Sequence, residues 1–162
     1  MTLIIGIDPG VSGAVAVLGG TYTDLVIDMP VQVASRGKSA LDVRAAELCG
    51  WLRPYTYAKH PTVAYVEQVQ SRPRQAGQFA FGMNYGRVLG VLEALGIPIV
   101  HVPASKWKPA MGLRGEDKAT SVALAAQLFP HLKDQLYGPR GAPLDGRAEA
   151  LLIAYYGSKQ CS

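Results

Sequence analysis

The run LIIGIDPGVSGAVAVL at residues 3–18 sets one acid, Asp8, inside an otherwise apolar stretch. A carboxylate buried without a partner is very costly, so Asp8 must meet a cation, a metal, or a phosphate-bearing ligand reached through a metal. The surrounding pattern reads as a hairpin: Leu3, Ile4, Ile5 and Ile7 form one strand, Pro9 to Gly13 the turn, and Ala14 to Leu18 the returning strand. Asp8 then stands at the far end of its strand, where it can project into a cleft while Gly10 and Gly13 allow close approach of backbone or phosphate.

The rest of the chain has the means to bury such a strand. At 162 residues, 49% hydrophobic and 17% charged, it reads as a single globular domain spanning 1–162. The net charge of +4 is modest, but the bases cluster as Arg72 with Arg74, Lys106 with Lys108, Arg114 with Lys118, and Arg140 with Arg147. Local positive potential of this kind suits a polyanion; the competing reading is a set of solvated surface charges. Cys49 and Cys161 form no CxxC pair and point to neither zinc nor a disulfide framework. His60, His101 and His131 have no metal-ligand spacing. With no basic leader and no apolar run of the roughly 20 residues that span a bilayer, a soluble, cytoplasmic protein without membrane association is expected.

Further strands are expected at Asp24 to Met29, Thr62 to Glu67 and Ile97 to Val102. VQVASRGKSA reads as an exposed loop, with Ser39 capping a helix that runs through Trp51. Longer helices are expected from Gln75 to Leu95, around Lys118 to Phe129, and from Asp145 onward. Gly82, Gly86 and Gly90 recur every four residues on one helix face, which permits close approach either to the domain's own sheet or to a second copy of the helix. A three-stranded meander followed by alternating helices and strands is a mixed α/β sheet of five strands flanked by helices.

Acids recur at comparable places. Glu67 ends the strand VAYVE as Asp8 ends its own, and Asp145 and Glu149, four apart, project from one helix face with Cβ atoms roughly 5–6 Å apart. If these ends converge, the carboxylates raise one another's pKa values unless divalent cations neutralise them, and an all-oxygen set selects Mg²⁺ or Mn²⁺. Each acid also has an ordinary reading. Asp145 can cap its helix, although Ala148 stands where a capping box needs Glu or Gln; Glu149 can be a solvated charge; Glu67 can bridge to Arg72 or Arg74; and Asp8 can be a turn residue.

Taken together, IGIDPGVSGAVAV, VAYVEQV, SKWKPAMGL, DKATSVALAAQLFP and LDGRAEALLIA resemble, in order, the RuvC-type Holliday junction resolvases in their shorter, bacteriophage-like form. The resemblance implies an RNase H-like fold, a homodimer, and nicking of four-way junctions and other branched DNA, forks included, with two Mg²⁺ or Mn²⁺ ions per active site. It further implies 5′-phosphate and 3′-hydroxyl ends. Asp8, Glu67 and Glu149 take the places of three metal-binding acids, and Asp145 is the candidate for the fourth. Lys118 matches a basic position and would stabilise charge at the phosphate, its alternative being a surface lysine paired with Glu116 or Asp117. The family's aromatic residue after the second acid is replaced here by Val69, Gln70, Ser71 and Arg72, so Arg72 or Arg74 would contact phosphate or stack on a base. Lys106, Lys108 and Arg114 complete the DNA-binding set, with Trp107 between the two lysines read as core.

Three rivals share features of the opening. An actin-like ATPase or sugar kinase needs two such domains around a nucleotide, and this length supplies one, so no nucleotide cofactor is expected. A YqgF-type RNA nuclease shares GIDPG but accounts less well for the WK and DK segments. A non-catalytic branched-DNA-binding module would keep four acids that, without metal, repel DNA.

Overall fold

The computed structural model describes residues 2–19, 23–35, 37, 40–69, 77–113 and 118–161. The expected hairpin is present as β1 (Leu3–Asp8) and β2 (Ala14–Leu18), which pair antiparallel with Asp8 opposite Ala14. β3 (Leu25–Asp28) continues the meander against β2, and Asp28 lies opposite the same Ala14. Two short strands, β4 (Val31–Val33) and β5 (Leu41–Val43), form a separate antiparallel ribbon. There follow α1 (Ala45–Thr56), β6 (Thr62–Gln68), α2 (Gln78–Ala94), β7 (Ile99–Pro103), α3 (Ala104–Ala110), α4 (Lys118–Leu128), two 3₁₀ segments at Pro130–Leu136 and Pro139–Gly141, and α5 (Asp145–Gln160). The main sheet has the order β3-β2-β1-β6-β7; β6 runs parallel to both β1 and β7. This is the expected five-stranded mixed α/β sheet with flanking helices.

The period-2 alternation of strand side chains sorts the core into two layers. Leu3, Ile5, Ile7, Val15 and Val17 face α1 and α2. Ile4, Ala14, Ala16 and Leu18 face α4 and α5, with the fully buried Trp107 of α3 in the same layer. Parity then places Gly6 and Asp8 of β1 on the α5 face, together with Tyr65 and Glu67 of β6. Gly6 is a necessity of that face, because a Cβ there would overlap the carbonyl oxygen of Ala150 and the amide of Ala154 on α5. Gly146, in the first turn of α5, packs as tightly on Ser12 and Gly13 of the β1–β2 turn.

The segment expected as a loop and a helix start folds instead as the β4–β5 ribbon, and α1 begins at Ala45. Its anchor is remote in sequence. Asn84 of α2 accepts a hydrogen bond from the Val43 amide at 2.8 Å and donates to the Leu41 carbonyl at 3.3 Å, while Arg87 reaches the Val43 carbonyl and the buried Asp42. Ser39 lies outside the described residues. Among the described residues no helix is long and apolar enough to cross a membrane.

Candidate active site

Ile7 of β1 lies opposite Val66 of the parallel strand β6, which brings Asp8 and Glu67 side by side at the carboxyl ends of adjacent strands. Such strand ends, where a parallel sheet leaves a crevice, are where ligands of α/β sheets bind. α5 crosses the same face and delivers Asp145 and Glu149 from its first two turns.

The other three carboxylates act on Asp8, and Glu149 acts on Glu67 as well. Burial, then the charges of Glu149 and Glu67, and more weakly that of Asp145, push Asp8 up to about 7; the Gly10 amide, 3.5 Å from Oδ1, opposes the shift. Glu67 is also raised, by burial and by Glu149, against the lowering effects of Lys108 and of the Trp107 indole N–H. That indole is buried and falls outside strict hydrogen-bonding geometry with any partner, Glu67 included, so its effect is that of a nearby dipole. An uncompensated cluster of this kind binds cations.

Two lysines meet that demand. Lys108 Nζ of α3 lies 2.8 Å from Glu149 Oε1, and Lys118 Nζ, at the start of α4, pairs with Asp145. Burial lowers the pKa of Lys108, but Glu149 first and then Glu67 and Asp8 outweigh it and raise the value. Lys118 is raised chiefly by Asp145, with smaller contributions from Glu149 and Asp8. No three acid, histidine or cysteine side chains among the described residues stand close enough together to hold a metal ion. The donor chemistry nonetheless fits a hard divalent cation: four carboxylates, of which Asp8 and Glu67 are held above their ordinary pKa by burial and by neighbouring acids.

Asp8, Glu67, Asp145, Glu149 and Lys118 thus fall in one place. The helix-cap alternative for Asp145 is not what the fold uses: Leu144 occupies the cap position with no side-chain hydrogen bond, and Asp145 turns to Lys118. Lys108, expected only as a DNA contact, belongs inside the cluster; its place just after β7, the strand beside β6, is the signal that could have found it. Lys106 is exposed on α3. Arg72, Arg74 and Arg114 lie outside the described residues. Arg147, grouped by sequence with the polyanion-binding bases, is instead committed to Asp28 through Nε and Nη2 at 2.6 and 2.7 Å.

No family model and no curated protein sequence matches this chain. Solved structures do. The T. thermophilus RuvC in complex with a Holliday junction substrate superposes with a TM-score of 0.56 at 16% identity, covering 98% of this chain and 96% of that one. A second T. thermophilus RuvC structure gives 0.53 at the same identity and coverage. The chain therefore shares the fold of RuvC over essentially its whole length.

Proposed function

We propose that this chain is a divalent-metal-dependent, structure-selective endodeoxyribonuclease that nicks four-way junctions, and by extension other branched DNA, as a homodimer. The observation that carries the reading is the meeting of Asp8, Glu67, Asp145 and Glu149 at the strand ends of a RuvC-like fold, with Lys108 and Lys118 at their side. The Holliday junction bound by the T. thermophilus protein of like fold supports the choice of substrate.

Asp8, Glu67, Asp145 and Glu149 would hold the ions between them, Asp8 from the end of β1, Glu67 from the end of β6 and the other two from α5. When bound, two Mg²⁺ or Mn²⁺ ions would supply an activated water on one side of the phosphodiester and charge stabilisation for the leaving oxygen on the other. The protein's own contribution is positional. Gly10 and Gly13 add no side chain to the turn beside Asp8, Lys118 is exposed at the rim where a phosphate arrives, and Lys108 holds Glu149 from within. Arg72, Arg74, Lys106 and Arg114 complete the proposed DNA contacts.

A homodimer is supported by α2. Its buried residues Asn84, Val88, Val91 and Leu92 share one side, whereas Cβ atoms at Gly82, Gly86 and Gly90 would meet, among the described residues, nothing beyond the helix's own backbone within 4 Å. The glycine face is therefore not packed on the domain's own sheet. Phe79, 79% exposed, lies on it.

The test is incubation with labelled four-way junctions, forks, linear duplex and RNA–DNA hybrid, with and without Mg²⁺ or Mn²⁺. Paired nicks in opposed strands of the junction, dependent on metal and leaving ligatable ends, are expected. Metal-independent cleavage, or preference for the hybrid, would refute the assignment.

A further inference from the structure

Arg147 lies on α5 between Asp145 and Glu149, yet its side chain turns away from the acids. Its guanidinium spans the helix, the sheet and the 3₁₀ segment: Nε and Nη2 donate to the two oxygens of Asp28 at 2.6 and 2.7 Å, and Nη1 donates to the Gln135 carbonyl at 2.8 Å. Asp28 is not a remote anchor. It sits opposite Ala14, which sits opposite Asp8, so Asp28, Ala14 and Asp8 form one row across three strands.

We propose that Arg147 is a positioning residue, which fixes the first turn of α5 on the Asp28–Ala14–Asp8 row and thereby aims Asp145 and Glu149 at Asp8 for binding a divalent cation. The proposal rests on the metal-site reading above and adds a determinant of that site which touches neither metal nor substrate. The physical need is direction. Of the other contacts here, Gly146 on Ser12 and Gly13 and Ala148 in the core are close packing that sets how near α5 lies to the sheet, while Lys118 and Lys108 grip the carboxylates of Asp145 and Glu149 from α4 and α3 without tying the helix to the Asp28–Ala14–Asp8 row. Apolar packing is non-directional, and one residue of slip along a helix is about 1.5 Å of travel and 100° of rotation, enough to turn both carboxylates from Asp8. A planar fork bonded at both prongs and held by a third hydrogen bond resists that motion, which a single-point ammonium does not.

The sign of one measurement separates positioning from a field effect. Removing a positive charge near a cation site should by electrostatics alone tighten cation binding. Loss of an outer partner that orients ligands weakens it, by about 10–100-fold. Mn²⁺ binding to the full-length protein, measured by calorimetry without DNA, should therefore be weakened at least about tenfold in Arg147→Ala. In Arg147→Lys, which keeps the charge and loses the fork, it should be weakened about threefold, with circular dichroism showing both variants folded. Affinity equal to or tighter than the native value in both folded variants overturns the positioning role, and a lowered melting temperature with unchanged Mn²⁺ affinity reduces Arg147 to an ordinary structural residue. Should Arg147→Ala fail to fold, Arg147→Lys decides alone. Failure of the native protein itself to bind Mn²⁺ refutes the metal site, and the proposal with it, and is distinguishable because it appears before any variant is compared.

Discussion

Asp8 is a carboxyl group whose folded surroundings oppose its own charge. Its value of about 7, against 3.8 for the unperturbed group, means that the metal-free folded state holds this proton more tightly than the unfolded chain does. The linkage has a definite sign: the contribution to stability is fully present below the unfolded value, about pH 4, and is lost as pH rises through about 7. Glu67, shifted in the same direction, adds to the trend. Asp8→Asn removes the largest titration, so the fall in melting temperature of the metal-free protein between about pH 5 and pH 8 should be shallower in the variant than in the native chain. Parallel profiles would refute this account of the site. The same variant should bind junctions as the native protein does and lose cleavage by more than about 100-fold, beyond the upper end of what losing an outer-shell partner costs. Gel-shift and nicking assays on one preparation check both halves, and substantial residual nicking would remove Asp8 from the proposed metal site. Lys108 and Lys118 make the complementary point: in the metal-free protein the cations the acids require come from the chain itself.

At the scale of the element, the site is produced by the crossing of α5 over β1, and two glycines permit it. A methyl group at Gly6 would collide with α5 backbone, which cannot move aside as a flexible side chain would. Gly6→Ala should cost about 3 kcal/mol, the upper end of ordinary overpacking, and should lift α5 from the strand end; the readouts are a lowered melting midpoint and weakened Mn²⁺ binding together. Unchanged stability would contradict the close approach. Much of this was legible from sequence because period-2 alternation is local: it places Asp8 two residues beyond Gly6 on one face, and Glu67 two beyond Tyr65. The carboxylates at 145 and 149 were legible for the same kind of reason, through helical spacing. Other features depend on partners far along the chain and leave no periodic trace. Leu41, Ala45, Leu48 and Leu52 fit a helix, yet residues 41–43 are a strand because Asn84 and Arg87 of α2 bind their backbone. Arg147 looked like a surface base, and only the fold brings Asp28, far upstream in the chain, beneath it. Lys108 looked like half of a basic pair and proves to be the partner of Glu149.

The whole molecule leaves one expense unexplained within a single chain. Each glycine in a helix interior costs about 1 kcal/mol relative to alanine, so Gly82, Gly86 and Gly90 together weaken α2 by about 3 kcal/mol. Outside the helix's own backbone, none has an atom of a described residue within 4 Å of where its Cβ would stand, and none has a positive φ that would demand glycine. A stripe of absent side chains facing solvent does, however, let a second helix approach to backbone distance, and Phe79 beside it offers an apolar contact at the same seam. The proposed function points the same way, since opposed nicks in a two-fold junction call for two active sites related by a two-fold axis. Gly86→Leu separates the intramolecular and intermolecular explanations by sign. If the stripe serves only the monomer, leucine gains helix propensity and meets no atom, so the variant is at least as stable and equally active. If the stripe is the seam between two copies, the variant should still fold as a monomer of undiminished helicity, yet sediment as a single chain and nick junctions singly rather than in pairs. Light scattering at micromolar concentration, with and without junction DNA, reads the assembly, and denaturing gels of both labelled strands read the pairing of cuts. A native protein that is monomeric under both conditions, or a leucine variant that remains a fully active dimer, would refute the dimer seam on α2.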